Sequence, residues 1–170
     1  MSNLLYRYAD QLRVGERMVT RGRTVTEGDI VAWCASTGDW HRLHSDATYA
    51  ARSSFGQRIA PGLMVLAWAA GLGVPPDSEA ILANYGADQV RFVAPVFIGD
   101  TLHLEAEVAG LRPKREGVDA VLTLAWNMVN QNGRMVMKSD LQVLIAARAP
   151  AAEHASAERA SAEQVSAERA

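Results

Sequence analysis

Between positions 101 and 110 apolar and polar residues alternate, with Leu102, Leu104, Ala106 and Val108 set against His103, Glu105 and Glu107. A period of two marks a strand with one buried face. Residues 118–129 and 134–146 read as further strands, and Gly117 and Asn132-Gly133 as the hairpin turns between them. Residues 89–95 alternate as well, Val90, Phe92 and Ala94 against Gln89, Arg91 and Val93. The earlier part of the chain differs. Residues 16–26 are extended in character, and Thr26-Glu27-Gly28-Asp29 then has the form of a capping box. Ile30, Trp33 and Cys34 follow at helical spacing, and Gly38 is a natural terminator. Asp46 is placed to cap a short helix over 47–52. Residues 59–73 predict a helix apolar on every side, with Pro61 in its first turn, where a missing N–H costs nothing. A helix apolar all round belongs in the middle of something. The order is strand, helices, then four strands in a meander. It predicts an α+β architecture in which an antiparallel sheet wraps one buried helix.

Residues 149–170 break this pattern. They close on the repeats S156-A-E-R-A, S161-A-E-Q-V and S166-A-E-R-A, which hold almost no large apolar side chain to offset the cost of ordering. The folded unit is therefore expected to be 1–148, followed by a mobile tail. The 170 residues carry a formal net charge of −2 with no dense Lys/Arg block, which argues against a nucleic-acid footprint. Cys34 is the sole cysteine, so no internal disulfide can form, as suits a reducing compartment. The first ten residues lack the charged-then-apolar layout of a signal peptide, and the longest apolar run, 62–74, is shorter than the ~20 residues of a membrane span. A cytoplasmic protein is expected.

The titratable groups gather in T37-G-D-W-H-R-L-H-S-D46. Asp39 and His44 are five apart, which puts them on different faces of a regular helix but lets them converge from a loop. A carboxylate and an imidazole facing one cleft can hold a single water between a base and an acid. Histidine, with a reference pKa of about 6.5, exchanges its proton near neutrality. The plainer alternative makes Asp39 a loop cap and His44 a satisfied polar residue. Gly62 opens the apolar helix, where unpaired N–H groups and the positive end of the dipole meet a developing anion well. It can equally serve close packing of helix on sheet. Trp40 is a candidate pocket wall, His41 a third site group or an exposed one, and Arg42 a partner for Asp46 or for a substrate phosphate. His103 falls on the polar phase of its strand, and Trp33, Trp68 and Trp126 fall on core phases. Cys34 reads as a small buried hydrophobe. No metal-ligand spacing, Gly-rich phosphate loop or G-x-S-x-G is present.

T37-G-D-W-H-R-L-H-S-D46, then F55-G-Q-R-I-A-P-G-L-M64 and R91-F-V-A-P-V-F-I-G-D100, resemble the MaoC-like, (R)-specific enoyl-CoA hydratases of the hotdog fold. The resemblance runs in order over roughly residues 10–147. It implies an antiparallel sheet around one long helix, working as a homodimer or an assembly of dimers. Asp39 and His44 match the family's catalytic pair, and Gly62 matches the backbone donor to the thioester carbonyl. Trp40, His41, Phe55 and Leu63 are the corresponding candidates for the substrate pocket. The implied substrate is a 2-enoyl thioester of coenzyme A or of a carrier protein, hydrated reversibly to a (3R)-hydroxyacyl thioester without a cofactor. Three positions depart: His41-Arg42 stands for Asn-Pro, Pro61 for a histidine before the helix glycine, and Ala70 for a serine that some members carry. The first two bear on which acyl group is taken more than on the reaction. Two alternatives stay open, a hotdog thioesterase and a non-catalytic acyl-thioester-binding or assembly protein.

Overall fold

The computed structural model describes residues 3–148; the expected tail lies outside the described residues. Strands β1 (Arg17–Val19) and β2 (Arg23–Thr24) are followed by helices α1 (Glu27–Thr37), α2 (Arg42–Ser45), α3 (Ala47–Ala51) and α4 (Gly62–Gly73). Four long strands complete the described residues: β3 (Ile81–Phe92), β4 (Thr101–Arg115), β5 (Asp119–Asn130) and β6 (Met135–Ala146). They form one antiparallel sheet in the order β1-β4-β5-β6-β3, with β2 also on β4. The sheet wraps α4, giving the α+β hotdog arrangement.

Period-two patterning decides which face of the sheet meets the helix. Leu102, Leu104, Ala106 and Val108 of β4 are buried, as are Leu122, Leu124, Trp126 and Met128 of β5 and Met137, Leu141, Val143 and Ile145 of β6. Met64, Val65, Trp68 and Ala69 of α4 join the same cluster. At about 25 cal/mol per Å² of apolar surface, this shared core is the main stabilising term. The helix is pressed close: a Cβ on Gly73 would lie 2.6 Å from Leu104 Cδ2 and 3.1 Å from Trp126 Cζ2.

The local signals of the first half hold. Thr26 Oγ1 accepts from the Asp29 N–H, and Asp29 Oδ2 accepts from the Thr26 N–H at 2.8 Å, closing the capping box. Gly38 ends α1 in the left-handed region at φ 78°. Gly117 and Gly133 turn the two hairpins at φ 70° and 71°. Cys34 and Trp126 are buried, whereas Trp40 is exposed.

Three expectations are corrected. The four long strands are not a simple meander, because β3 pairs with β6 and not with β4. The connection 93–100 carries the chain across instead, held where the Ala60 N–H donates to the Val96 carbonyl at 2.8 Å. Strand β3 runs over Ile81–Phe92 and not over 89–95, and its side chains are largely exposed on both faces. At this open edge β3 shows no regular alternation of buried and exposed side chains. Helix α4 starts at Gly62 and not at residue 59, with Pro61 as its N-cap. Ile59 is instead in a β-bridge with Phe97.

Candidate active site

The left-handed turn at Gly38 sets Asp39 just outside α1, where its N–H donates to Thr37 Oγ1 at 3.3 Å. His44 sits on α2, a single helical turn and not an irregular loop. That turn reverses the chain enough for the two side chains to face one another, with His44 Nε2 and Asp39 Oδ2 4.0 Å apart. Such a gap is too long for a direct hydrogen bond. On the other side of the ring, Nδ1 lies 2.8 Å from the Ile59 carbonyl oxygen. A carbonyl only accepts, so Nδ1 carries the proton, and Nε2 of the neutral ring presents a lone pair towards Asp39. Asp39 is half exposed and His44 nearly enclosed, so the pair joins solvent to the interior.

The interior here is a cavity of about 360 Å³. His44, Phe55, Ile59, Ala60 and Gly62 line one side. Phe92, Val93, Ala94, Pro95 and Val136 line the other. The walls are apolar except at His44 and the backbone. Pro61 offers no side-chain cap to α4. Among the described residues the N–H groups of Gly62 and Leu63 have no acceptor. Gly62 packs under an aromatic ring, and a Cβ there would lie 2.9 Å from Phe92 Cδ2. Close packing on Phe92 is thus present, and the Gly62 N–H is left without an acceptor at the start of the helix.

Of the candidate pocket residues, Phe55 lines the cavity, while Trp40, His41 and Leu63 do not. Trp40 projects outward ahead of α2. The His41 ring turns back to its own backbone, where Nδ1 accepts from the Leu43 N–H at 3.3 Å and caps α2. Leu63 follows Gly62 on a helix, about 100° further round, and points away from the sheet with 61% exposure. Arg42 pairs with Asp46 at 2.9 Å and lies over the Tyr49 ring. Asp46 in turn caps α3 by accepting from the Tyr49 N–H at 2.8 Å. That bond, then the Arg42 side chain, holds the Asp46 carboxyl below its usual range. His41-Arg42 thus builds the turn that carries His44. The Cys34 thiol is pushed up by burial and then by the Asp39 charge, which disfavours thiolate chemistry.

Reasoning from the sequence overlooked the second wall of the cavity and the Ile59 carbonyl. The apolar run F92-V-A-P-V96 carried a signal for the wall. A backbone acceptor has no side-chain signature, so Ile59 carried none.

A family model described as "MaoC like domain" matches residues 10–127. Protein MaoC of Klebsiella aerogenes is 38% identical over 98 residues, 58% of this chain and 29% of that protein. The (R)-specific enoyl-CoA hydratase of Rhodospirillum rubrum is 29% identical over 150 residues, 86% of this chain and 96% of that protein. The chain spans less than half the length of the first curated relatives it matches, from 29% to 43%. The solved structure of a monoamine oxidase regulatory protein from Archaeoglobus fulgius superimposes with a TM-score of 0.78 at 34% identity, over 84% of this chain and 95% of that one. A Mycobacterium tuberculosis protein described as a double hotdog fold superimposes with a TM-score of 0.73 at 24% identity, covering 86% of this chain and 46% of that one, and bears on the fold alone. With the family match spanning well over half of its residues, the chain belongs to the MaoC-like domain family.

Proposed function

We propose that this protein is a hydro-lyase that reversibly hydrates a trans-2-enoyl thioester of coenzyme A to the (3R)-hydroxyacyl thioester. The observation that carries the reading is the 4.0 Å gap between two acceptors, Asp39 Oδ2 and His44 Nε2, with Asp39 outside the lining and His44 in the wall of an apolar cavity that Gly62 also lines. One water fits such a gap by donating one O–H to each acceptor, which leaves an oxygen lone pair for the substrate. As that oxygen bonds to Cβ, one member of the pair takes a proton from the water, and the pair passes that proton on to Cα on the same face, so the water supplies both the hydroxyl and the hydrogen. Negative charge collects on the thioester oxygen during the step. The Gly62 N–H, at the positive end of α4, is the donor that stabilises it. Val93, Ala94, Pro95 and Val136 supply an apolar wall for the acyl chain. No step needs a cofactor.

The same reading makes the protein a cytoplasmic homodimer of acyl-CoA metabolism. Support for the dimer lies in β3, a long edge strand with Leu82, Tyr85 and Phe92 exposed, beside Leu63 on α4. A long apolar edge left open is a site of pairing.

The test is a panel of enoyl-CoA thioesters, beginning with crotonyl-CoA, followed by loss of enoyl absorbance and by thiol release. Absorbance loss without thiol is the expected result. Thiol release would make the protein a hydrolase on the same fold. A panel left untouched but bound, with Asp39→Asn and His44→Ala binding equally well, would make it a non-catalytic acyl binder.

A further inference from the structure

Arg58 stands one residue before the Ile59 carbonyl that receives the His44 Nδ1–H. Its Nη2 lies 2.5 Å from Glu27 Oε1, a partner 31 residues earlier in the chain. The Arg58 side chain is 17% exposed, whereas the other arginines in ion pairs among the described residues are 32% to 75% exposed. Fully exposed pairs contribute little, because two long side chains must be ordered in water. An arginine already enclosed has given up most of that freedom, and its hydrogen bond to a carboxylate is charge-assisted. Glu27 opens α1 in a turn that is itself fixed. The Thr26–Asp29 capping box closes that turn, and Arg23 pairs with Asp29 at 2.7 Å.

The chain before Arg58 is bonded only to itself. The Ser53 N–H donates to the Ala50 carbonyl, the Gly56 N–H to the Ser53 carbonyl and the Phe55 N–H to Ser53 Oγ. The chain after Arg58 is bonded to α2 and to the connection 93–100. The Ile59 N–H donates to the Leu43 carbonyl at 3.1 Å, the Ala60 N–H to the Val96 carbonyl at 2.8 Å, and Ile59 bridges Phe97. All of these are backbone bonds. Apart from the His44 ring, Arg58 supplies the one side-chain bond between residues 58–60 and the rest of the described chain. Helix α1, which Glu27 opens, gives way to Asp39 just past its other end. The pair therefore joins the rod that carries the acid to the segment that holds the histidine.

Resting on the hydro-lyase reading, we propose that Arg58, through its ion pair with Glu27, is a positioning residue that holds the Ile59 carbonyl against the His44 ring. It thereby keeps the proton on Nδ1 and the lone pair on Nε2. With the carbonyl displaced, nothing on that side of the ring selects the tautomer. A ring with its proton on Nε2 turns a donor towards Asp39 and has no lone pair there for the water. The loss appears in turnover and not in substrate binding, because Arg58 does not line the cavity.

The experiment uses the full chain. It measures steady-state turnover of crotonyl-CoA and the nitrogen-15 resonances of the histidine rings under alkaline conditions, with His44 assigned by its loss in His44→Ala. Arg58→Ala should lower kcat about tenfold, as misplacing a catalytic group does, with KM within twofold. Its His44 ring should move from the Nδ1–H pattern of the wild type towards the Nε2–H pattern. Glu27→Ala removes a carboxylate that is 63% exposed, so the fold is spared, and it should give the same losses. The double variant should lose no more than either single one, as partners in one interaction do. Arg58→Lys should recover most of the turnover. Arg17→Ala, which breaks the exposed pair with Glu107 on β1, should match the wild type. Unchanged ring nitrogens in Arg58→Ala would overturn the proposal. So would an unchanged kcat, a silent Glu27→Ala, additive losses in the double variant or an effect on KM alone. If the wild type turns over no enoyl thioester, the hydro-lyase reading falls, and the ring nitrogens of the two single variants still decide whether the pair holds His44.

Discussion

Helix α4 carries a glycine at each end, and the two are held against very different neighbours. Gly73 lies against Leu104 and Trp126, both fully buried, and has nowhere to grow. Gly62 lies against Phe92, an edge-strand ring that is 47% exposed and has room to swing. One end of the rod is locked into the core. The other opens on a cavity, with uncapped N–H groups and an imidazole in its wall. The same residue type thus serves packing at one end and access at the other, and the surroundings decide which.

The contrast predicts that activity and stability separate along the helix. The largest effect is expected next to the open end. Asp39→Ala and His44→Ala should each lower kcat by about 10²- to 10⁴-fold, roughly 3–5 kcal/mol of transition-state stabilisation, with a melting temperature close to the wild type's. Steady-state kinetics with the best substrate of the panel checks this, and variants that stay active would remove the dyad from the mechanism. At the closed end, Gly73→Ala should cost about 1–3 kcal/mol of stability from overpacking. Urea denaturation should record that loss while kcat holds. Gly62→Ala should do the reverse. Its Cβ displaces the Phe92 ring into the cavity, so kcat/KM should fall about tenfold, or ~1.4 kcal/mol, with a smaller change in urea midpoint than Gly73→Ala. Equal stability losses at the two glycines would break the comparison.

The smallest effect concerns the turn that carries His44. Asp46 is depressed in the folded state by the Tyr49 N–H and then by Arg42. A carboxylate of this kind contributes stability that is fully present above its unfolded value, about 3.9. The contribution is lost as pH falls through the lower folded value. Asp46→Asn should therefore flatten the drop in urea midpoint between neutral pH and pH 3. A drop as steep as the wild type's would assign the acid sensitivity to other carboxylates, such as Asp29 and Asp119, which are also held low.

Much of this architecture could be read from residue order alone. The alternation of β4 to β6, the capping box at Thr26, the Gly38 terminator and the all-apolar α4 are local or periodic properties, and each element follows from its own residues. The pairing of β3 was not legible, because its choice of β6 over β4 depends on where the connection 93–100 crosses and not on any pattern within the strand. The meeting of Asp39 with His44 was legible as a pair of residue types in one short connection. Phe55 alone among the further pocket candidates lines the cavity. Trp40, His41 and Leu63 fell away because helical turns aim them elsewhere.

Residue order by itself determined most of the strands and helices and gathered Asp39 and His44 into one short connection, since those follow from periodicity, capping and chemical type. Only the tertiary structure decided that the Ile59 carbonyl holds the His44 ring with Nε2 towards Asp39. It alone brought Phe92 and Val136 to the cavity wall. The reason is physical: backbone acceptors and cross-strand neighbours are relations between distant parts of the chain, and they exist only once the sheet has closed around its helix.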